Sequence, residues 1–293
     1  MEAAATEREP ADALSIRLLK PADFAFADEV RALAGWNQTL ADWQRFLDCE
    51  PHGCFVAERN GAPAGTATTV YYGPGLGWIG MLLVHPEQRR GGVGGALLRH
   101  ALGYLQSRGA QAVKLDATPL GQPLYERSGF KPCGALTRYE APVFHPKSDT
   151  VTDGVSALVE RDWTELIALD ATAFGLPRPE VLGGLVRRSL RTVVCRTGGF
   201  GYGMIREGSR AQYLGPVVAE TALVAGKIIH RLTAEATGKP LFWDVPASNE
   251  AATEFARSLG LAPQRHLLRM CHGDEVVSST WGLQYAIADP AVG

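Results

Sequence analysis

The sequence predicts an α/β (α+β) protein built from two domains that share one fold. Three observations carry this. Trp78–Val84 is a short apolar run, followed by a turn dense in glycine and arginine and then by apolar residues at helical spacing, so a buried strand enters a loop that opens a helix. A polar stretch with two prolines, 142–149, then reads as a linker, after which the pattern of elements restarts. Finally, the halves correspond segment by segment: Ile79–Val84 with Tyr213–Val218, Lys114–Asp116 with Phe242–Asp244, and Ser128–Phe130 with Leu259–Leu261. The expected domains are 14–141 and 150–290.

Taken in order, 1–13 is acidic, lacks the apolar core of a signal peptide and is expected to be a tail. Ser15–Leu19 is a strand, and Pro21-Ala22-Asp23 opens a helix to about Ala34. Trp36, Leu40, Trp43, Phe46 and Leu47 form the apolar face of a second helix, Gly35–Asp48. Gly53–Glu58 and Ala64–Tyr72 are strands joined at Asn60-Gly61, a two-residue hairpin signal. Gly73-Pro74-Gly75 turns the chain into Trp78–Val84, whose nearly unbroken apolar run suits a strand covered on both faces. Ala96, Leu97, Leu98, Ala101, Leu102 and Leu105 then mark a helix. Gln111–Asp116 is a strand, a short helix stops at Gly129 where glycine tolerates a left-handed turn, and Ala135–Ala141 closes the first domain. In the second half Val151–Glu160 is strand-like, Asp162 caps a helix to Phe174, and Pro179–Leu190 is a further helix. Arg191–Arg196 and Phe200–Arg206 are strands about Thr197-Gly198-Gly199, and a helix from Thr221 to Thr237 follows Tyr213–Val218.

The chemistry lies in His85–Gly95. The first N–H groups of a helix have no intrahelical partner and sit at the positive end of its dipole, so this loop opens onto an anion site. Gly91, Gly92, Gly94 and Gly95 let a phosphate approach the backbone, Val93 stands among them, and Arg89 and Arg90 bring forked charge suited to phosphate oxygens. A P-loop would need lysine followed by Ser or Thr after the last glycine, where Ala96 and Leu97 stand. A dinucleotide fingerprint would need a third glycine at Leu97, although Asp116 lies about where its ribose-binding acid would fall. The pattern Arg89-x-x-Gly92-x-Gly94 after Val84-His85-Pro86, with Leu124-Tyr125-Glu126-Arg127-Ser128-Gly129-Phe130 downstream, resembles the GNAT superfamily of N-acetyltransferases. The resemblance covers about 15–139 and, more weakly, 151–282.

This resemblance implies two tandem domains, each a mixed, mostly antiparallel sheet flanked by helices. It implies acetyl-CoA as co-substrate and a pyrophosphate held on Arg89–Gly95; no metal is expected, because the seven histidines are dispersed with no His-x-x-x-His pair. Backbone groups of Leu82, Leu83 and Val84 would hold the pantetheine and thioester where the central strand splays from its neighbour, and Tyr125 would be the acid for the departing thiolate. Gly35–Asp48 would wall the acceptor pocket, which makes Trp36 and Trp43 candidates to touch it. No base is assigned: Trp78–Val84 holds no carboxylate, and Asp116, His52, Tyr71, Tyr72 and a water chain stand as candidates, with His85 a turn residue. The second half lacks the loop, since 219–226 holds no arginine and no Gly-x-Gly, and Ala256 stands in place of Tyr125. It reads as a degenerate copy that shapes the acceptor site or stabilises the fold.

Composition narrows the classes. A chain of 293 residues, 46% hydrophobic and 20% charged, is globular. A net charge of −2 without a long basic run argues against nucleic acid as partner, and no window has the apolar length of a membrane span. Five scattered cysteines form neither a disulfide framework nor a zinc pattern, so a reducing cytoplasm is the expected compartment. The expected activity is acetyl transfer to the primary amine of a small-molecule acceptor, with acceptor and oligomeric state left open by the sequence. A non-enzymatic acyl-CoA sensor or scaffold is the rival, and the presence of Tyr125 favours the enzyme.

Overall fold

The computed structural model describes residues 13–146, 152–274 and 277–293. The expected tail up to residue 12 and the linker from 147 onward lie outside the described residues. The first half runs β1 (Leu14–Leu18), α1 (Phe24–Leu33), α2 (Leu40–Cys49), β2 (Cys54–Arg59), β3 (Ala62–Tyr71), β4 (Gly77–Val84), α3 (Val93–Ser107), β5 (Ala112–Ala117), α4 (Gln122–Arg127) and β6 (Lys131–Ala141). The second runs β7 (Val155–Ala157), α5 (Trp163–Phe174), α6 (Pro179–Val186), β8 (Ser189–Cys195), β9 (Gly201–Arg206), β10 (Gln212–Ala219), α7 (Ala222–Thr233), β11 (Leu241–Pro246), α8 (Glu250–Ser258) and β12 (Ala262–Gly273). A further strand, β13 (Gln284–Ala286), lies beyond the repeat.

Most elements fall where the sequence places them, and the departures have local causes. The helix expected from Gly35 starts at Leu40, because Thr39 and Asp42 form a capping box there. The preceding Asn37 is spent on Ala211, donating to its carbonyl at 2.9 Å and accepting from its N–H at 3.0 Å. Asp162 does not cap α5 with its side chain; its carboxylate turns back to the Val159 N–H (3.0 Å) and to Arg196 (2.8 Å), which cuts the expected strand down to β7.

The strands form one mixed, 13-stranded sheet in the order β1-β2-β3-β4-β5-β12-β6-β11-β10-β9-β8-β7, with β13 beside β10. Among the described residues only β4–β5 and β10–β11 pair in parallel; the rest are antiparallel. The closing strands have changed places. β6 does not lie against β5 of its own half but between β12 and β11, while β12 of the second half lies against β5. A buried ion pair fastens each crossing. Arg269 on β12 makes two hydrogen bonds to Asp116 on β5, at 2.7 and 2.8 Å. Arg138 on β6 grips Asp244 on β11 in the same way. Arg138 and Arg269 stand equally far beyond Gly129 and Gly260, so the fastening is itself duplicated.

Helices cover both faces of the sheet. On one face α1, α2, α5 and α6 share a core that runs across both halves, with Trp43, Phe46, Trp78, Phe174 and Tyr202 in it. On the other, α3 packs over the first half and α7 and α8 over the second, in separate clusters. No helix among the described residues is long and apolar enough to cross a membrane.

Candidate active site

β4 and β5 are partners only at Gly77–Val113 and Trp78–Lys114. Beyond Trp78 the two strands separate, leaving an open cleft beside the rest of β4. A bulge marks the same place: Thr66 lies opposite Leu83 but Thr68 opposite Gly80, so Met81 and Leu82 share one partner position on β3. Met81 takes a φ of 47°, and the Thr66 hydroxyl, donating to its carbonyl at 2.9 Å, holds it there. Left-handed backbone on a residue with a side chain costs ~1–3 kcal/mol and clusters at functional sites. Bulges of this kind re-aim the backbone that follows, here Leu82 and Leu83 on the wall of the cleft.

The start of α3 forms one end of the cleft. Gly92 is its N-cap at φ 84°, no side chain caps it, and the first helical bond runs from the Ala96 N–H to the Gly92 carbonyl. The N–H groups of Val93, Gly94 and Gly95 are therefore left for a ligand. A Cβ placed on Gly94 would lie 3.4 Å from Val84 and 3.5 Å from Leu124, so this position is bare without being crowded. Gly91 is different. Its carbonyl accepts from Arg59 Nη2, and a Cβ there would fall 2.3 Å from Arg59 Nη1, so it braces the outside of the loop. Arg89 and Arg90 are exposed at the rim, and Arg89 Nε donates to the Val84 carbonyl at 3.2 Å.

The cleft encloses about 760 Å³, an ordinary size for a small-molecule site. It brings together Leu82–Val84, Arg89, Arg90, Gly92–Gly95 and Tyr125, that is, every residue expected from the sequence to hold the co-substrate or to serve as the acid, except Gly91. A second cavity of about 30 Å³ shares Trp36, Asp116, Thr118, Tyr125 and Arg265 with it. Tyr125 thus stands where the two meet. Its ring lies against the bare backbone of Gly121, where a Cβ would come within 2.9 Å of Cε2. No described residue hydrogen-bonds its hydroxyl, and burial alone pushes the phenol up to about 12.

The other candidates separate. Trp36 lines both cavities, whereas Trp43 is fully buried core. Asp116 reaches the cleft, but both its oxygens are held by Arg269, whose guanidinium stacks between Trp78 (4.6 Å) and Trp281 (4.8 Å). Asp244 carries the same kind of arginine in the half without the glycine loop. The aspartate is therefore a fastening between exchanged strands rather than a free base. Tyr72 donates to the Val292 carbonyl at 2.6 Å, Tyr71 lies under Arg108, and His52 is exposed in the turn before β2. None of these three lines either cavity. Among the described residues no group of three or more His, Cys, Asp or Glu is placed to hold a metal ion.

Several residues of the site carry no local signal in the sequence. Gln38 donates to Asp289 at 3.1 Å and leaves Oε1 buried without a partner. Pro290 and Ala291 wall the smaller cavity. Arg265, from β12, lines both cavities with its Nε buried and unpartnered, and burial, with Arg138 next to it, pulls it down to about 10.

The corresponding groove of the second half is filled by the chain itself. β10 and β11 pair through Leu214–Trp243, and past that point β13 lies along β10, with Ala286 opposite Val217. The Trp243 indole donates to the Tyr285 carbonyl at 2.7 Å. The start of α7 is capped, its Thr221 hydroxyl accepting from the Val224 N–H at 3.3 Å.

Comparison with known proteins agrees with this division. The model of the Acetyltransferase (GNAT) family matches residues 23–130, and that of an Acetyltransferase (GNAT) domain matches 166–286. The uncharacterized N-acetyltransferase YitH of Bacillus subtilis (strain 168) is 29% identical over 185 residues, 62% of this chain and 64% of that protein, so the match spans under two thirds of this relative. Holothin acyltransferase of Pseudoalteromonas sp. (strain SANK 73390) is 25% identical over 248 residues, 82% of this chain and 81% of its own. A crystal structure from Pyrococcus horikoshii matches the fold over 100% of both chains, with a TM-score of 0.84 at 23% identity. With one acetyltransferase model matched in each half and the parallel strands parting in each, the chain belongs to the GNAT superfamily of N-acetyltransferases as a tandem-domain member.

Proposed function

We propose that the first half transfers an acetyl group from acetyl-CoA to the primary amine of a small acceptor. One observation carries this: an uncapped glycine-rich helix start, an unpaired strand edge and a protonated tyrosine lie along a single cleft. Val93, Gly94 and Gly95 would hold the pyrophosphate through their N–H groups, with Arg89 and Arg90 closing over it. Backbone N–H at Leu82 and Leu83 would face the thioester oxygen as charge develops there. Such a donor is worth roughly 3 kcal/mol in comparable sites.

Transfer forms a C–N bond and breaks the C–S bond; the sulfur gains a proton and the nitrogen loses one. At about 12 the Tyr125 phenol is protonated throughout the neutral range. Full proton transfer to a thiolate with a pKa near 8.5 runs uphill. The hydroxyl therefore acts first as a hydrogen-bond donor to the departing sulfur, with solvent completing the protonation. Since Asp116 is engaged by Arg269, water in the open cleft takes the amine proton. The two similar proteins, one named as an N-acetyltransferase and the other as an acyltransferase, support the same class.

The test is in two steps. Acetyl-CoA should raise the melting temperature and NAD should not. A panel of amines should then release free CoA thiol in proportion to acetylated product. Stabilisation by NAD would overturn the cofactor assignment, and tight acetyl-CoA binding without thiol release across the panel would make the protein a sensor.

A further inference from the structure

We infer that the acceptor of this acetyl transfer carries a carboxylate, and that Arg265 is the residue that seats it beside Tyr125; this rests on the reading above. Three arginines reach this layer of the sheet. Arg138 and Arg269 are each neutralised by a buried aspartate. Arg265 has no such partner among the described residues, and its Nε is buried without a hydrogen bond. Asp244, already gripped by Arg138, also attracts Arg265 at longer range, but among the described residues no carboxylate forms an ion pair with Arg265, which lines the cavity with its fork open. Arg265 is half-buried, and an N–H kept from water without an acceptor, as its Nε is, is costly. A carboxylate, which fits the planar fork with two hydrogen bonds, removes that cost.

The internal repeat separates this arginine from the architecture. Arg138 and Arg269 recur because both strand crossings need fastening. Arg265 does not recur. The position equally far beyond Gly129 is Gly134, where a Cβ would lie 2.8 Å from the Trp281 ring. The arginine thus occurs only on the crossing strand that faces an open cavity, and the strand facing the filled groove has glycine. At about 10 its pKa leaves it protonated in the neutral range.

The opposite polarity is also present. Gln38 Oε1, a buried acceptor with its amide nitrogen fixed on Asp289, lines the same small cavity. A cation fork and a bare carbonyl oxygen in one cavity suit a molecule with both a carboxylate and an amine.

The experiment pairs carboxylate-bearing amines (α-, β- and γ-amino acids) with their amides, in the wild type, Arg265→Gln and Arg265→Lys. The wild type should prefer the acids in kcat/KM, through KM. Arg265→Gln should collapse that acid-to-amide ratio by about 10–100-fold, the loss of a charge-assisted bidentate contact, and Arg265→Lys should fall between. A wild type that favours the amides, or a ratio unchanged in Arg265→Gln, overturns the inference. A second arm uses calorimetry of N-acetyl amino acids and their amides on the CoA-bound protein. Arg265-dependent binding of the acids without turnover of any amine would keep the carboxylate site and sink the acetyltransferase reading; turnover without acid preference would do the reverse. Acids that neither bind in calorimetry nor win in turnover also overturn it.

Discussion

Tyr125 combines two properties: no hydrogen bond on its oxygen from any described residue, and a place at the meeting of two cavities. Tyr125→Phe keeps the ring against Gly121 and removes only the hydroxyl, so packing should change little. Turnover should fall by ~10²–10³-fold, the usual worth of one preorganised hydrogen-bond donor to developing charge. Acetyl-CoA affinity should change far less, because the hydroxyl matters most as the C–S bond breaks. Steady-state kinetics and calorimetry together check this, and full turnover with chemistry rate-limiting would leave the residue a structural role. The pH dependence has a definite sign. Burial favours the neutral phenol, so the donor is retained above the ordinary tyrosine value and is lost only as pH rises through about 12; an alkaline fall of kcat below pH ~10 belongs to another group. Tyr125 was legible in the sequence because its whole motif is contiguous. The role of Asp116 was not, because its partner Arg269 lies 153 residues away and nothing local ties the two.

The strand, glycine loop and helix from Gly77 to Ser107 act as a unit, and Gly94 tests it most cleanly. Gly92 holds a φ of 84°, so a valine there strains the backbone whatever it does to a ligand. Gly94 has no such φ, and its Cβ would meet only ordinary contacts. Gly94→Val should therefore leave the melting temperature of the free protein nearly unchanged and weaken CoA binding by about tenfold or more, by blocking approach to the helix N–H groups. In the same titration the wild type should bind one CoA per chain, since β13 lies in the other groove and Thr221 caps α7. Unaltered affinity in the variant moves the pyrophosphate elsewhere, and two equivalent sites would contradict the filled groove. The loop could be read in advance because glycine and arginine spacing is local. β13 could not, because three residues carry no periodicity and their place is set by the open edge of β10.

Across the whole molecule, duplication was visible in the sequence but the exchange of closing strands was not: β6 and β12 would show the same pattern whether paired at home or across the repeat. The exchange makes the halves interdependent. A fragment ending at residue 146 lacks β12, exposes the edge of β5 and leaves Asp116 without Arg269. Removing one partner of a buried pair alone costs about 3–5 kcal/mol, a large part of ordinary domain stability. The fragment should be unfolded or aggregated by circular dichroism and size-exclusion chromatography, while the full chain melts in one transition. A stable monomeric fragment would show that the crossing is dispensable. The segment after β13 adds another tie. Asp289 holds Gln38 and Arg206, the Trp78 indole donates to the Pro290 carbonyl at 3.1 Å, and Ala291 walls the cavity beside Tyr125. The stretch that stops up one groove is thus the stretch that sculpts the other. A substitution that loosens its hold on β10 also disturbs the surface against which the acceptor rests, so evolutionary drift toward a new acceptor is constrained by a stopper seated in the opposite half of the molecule.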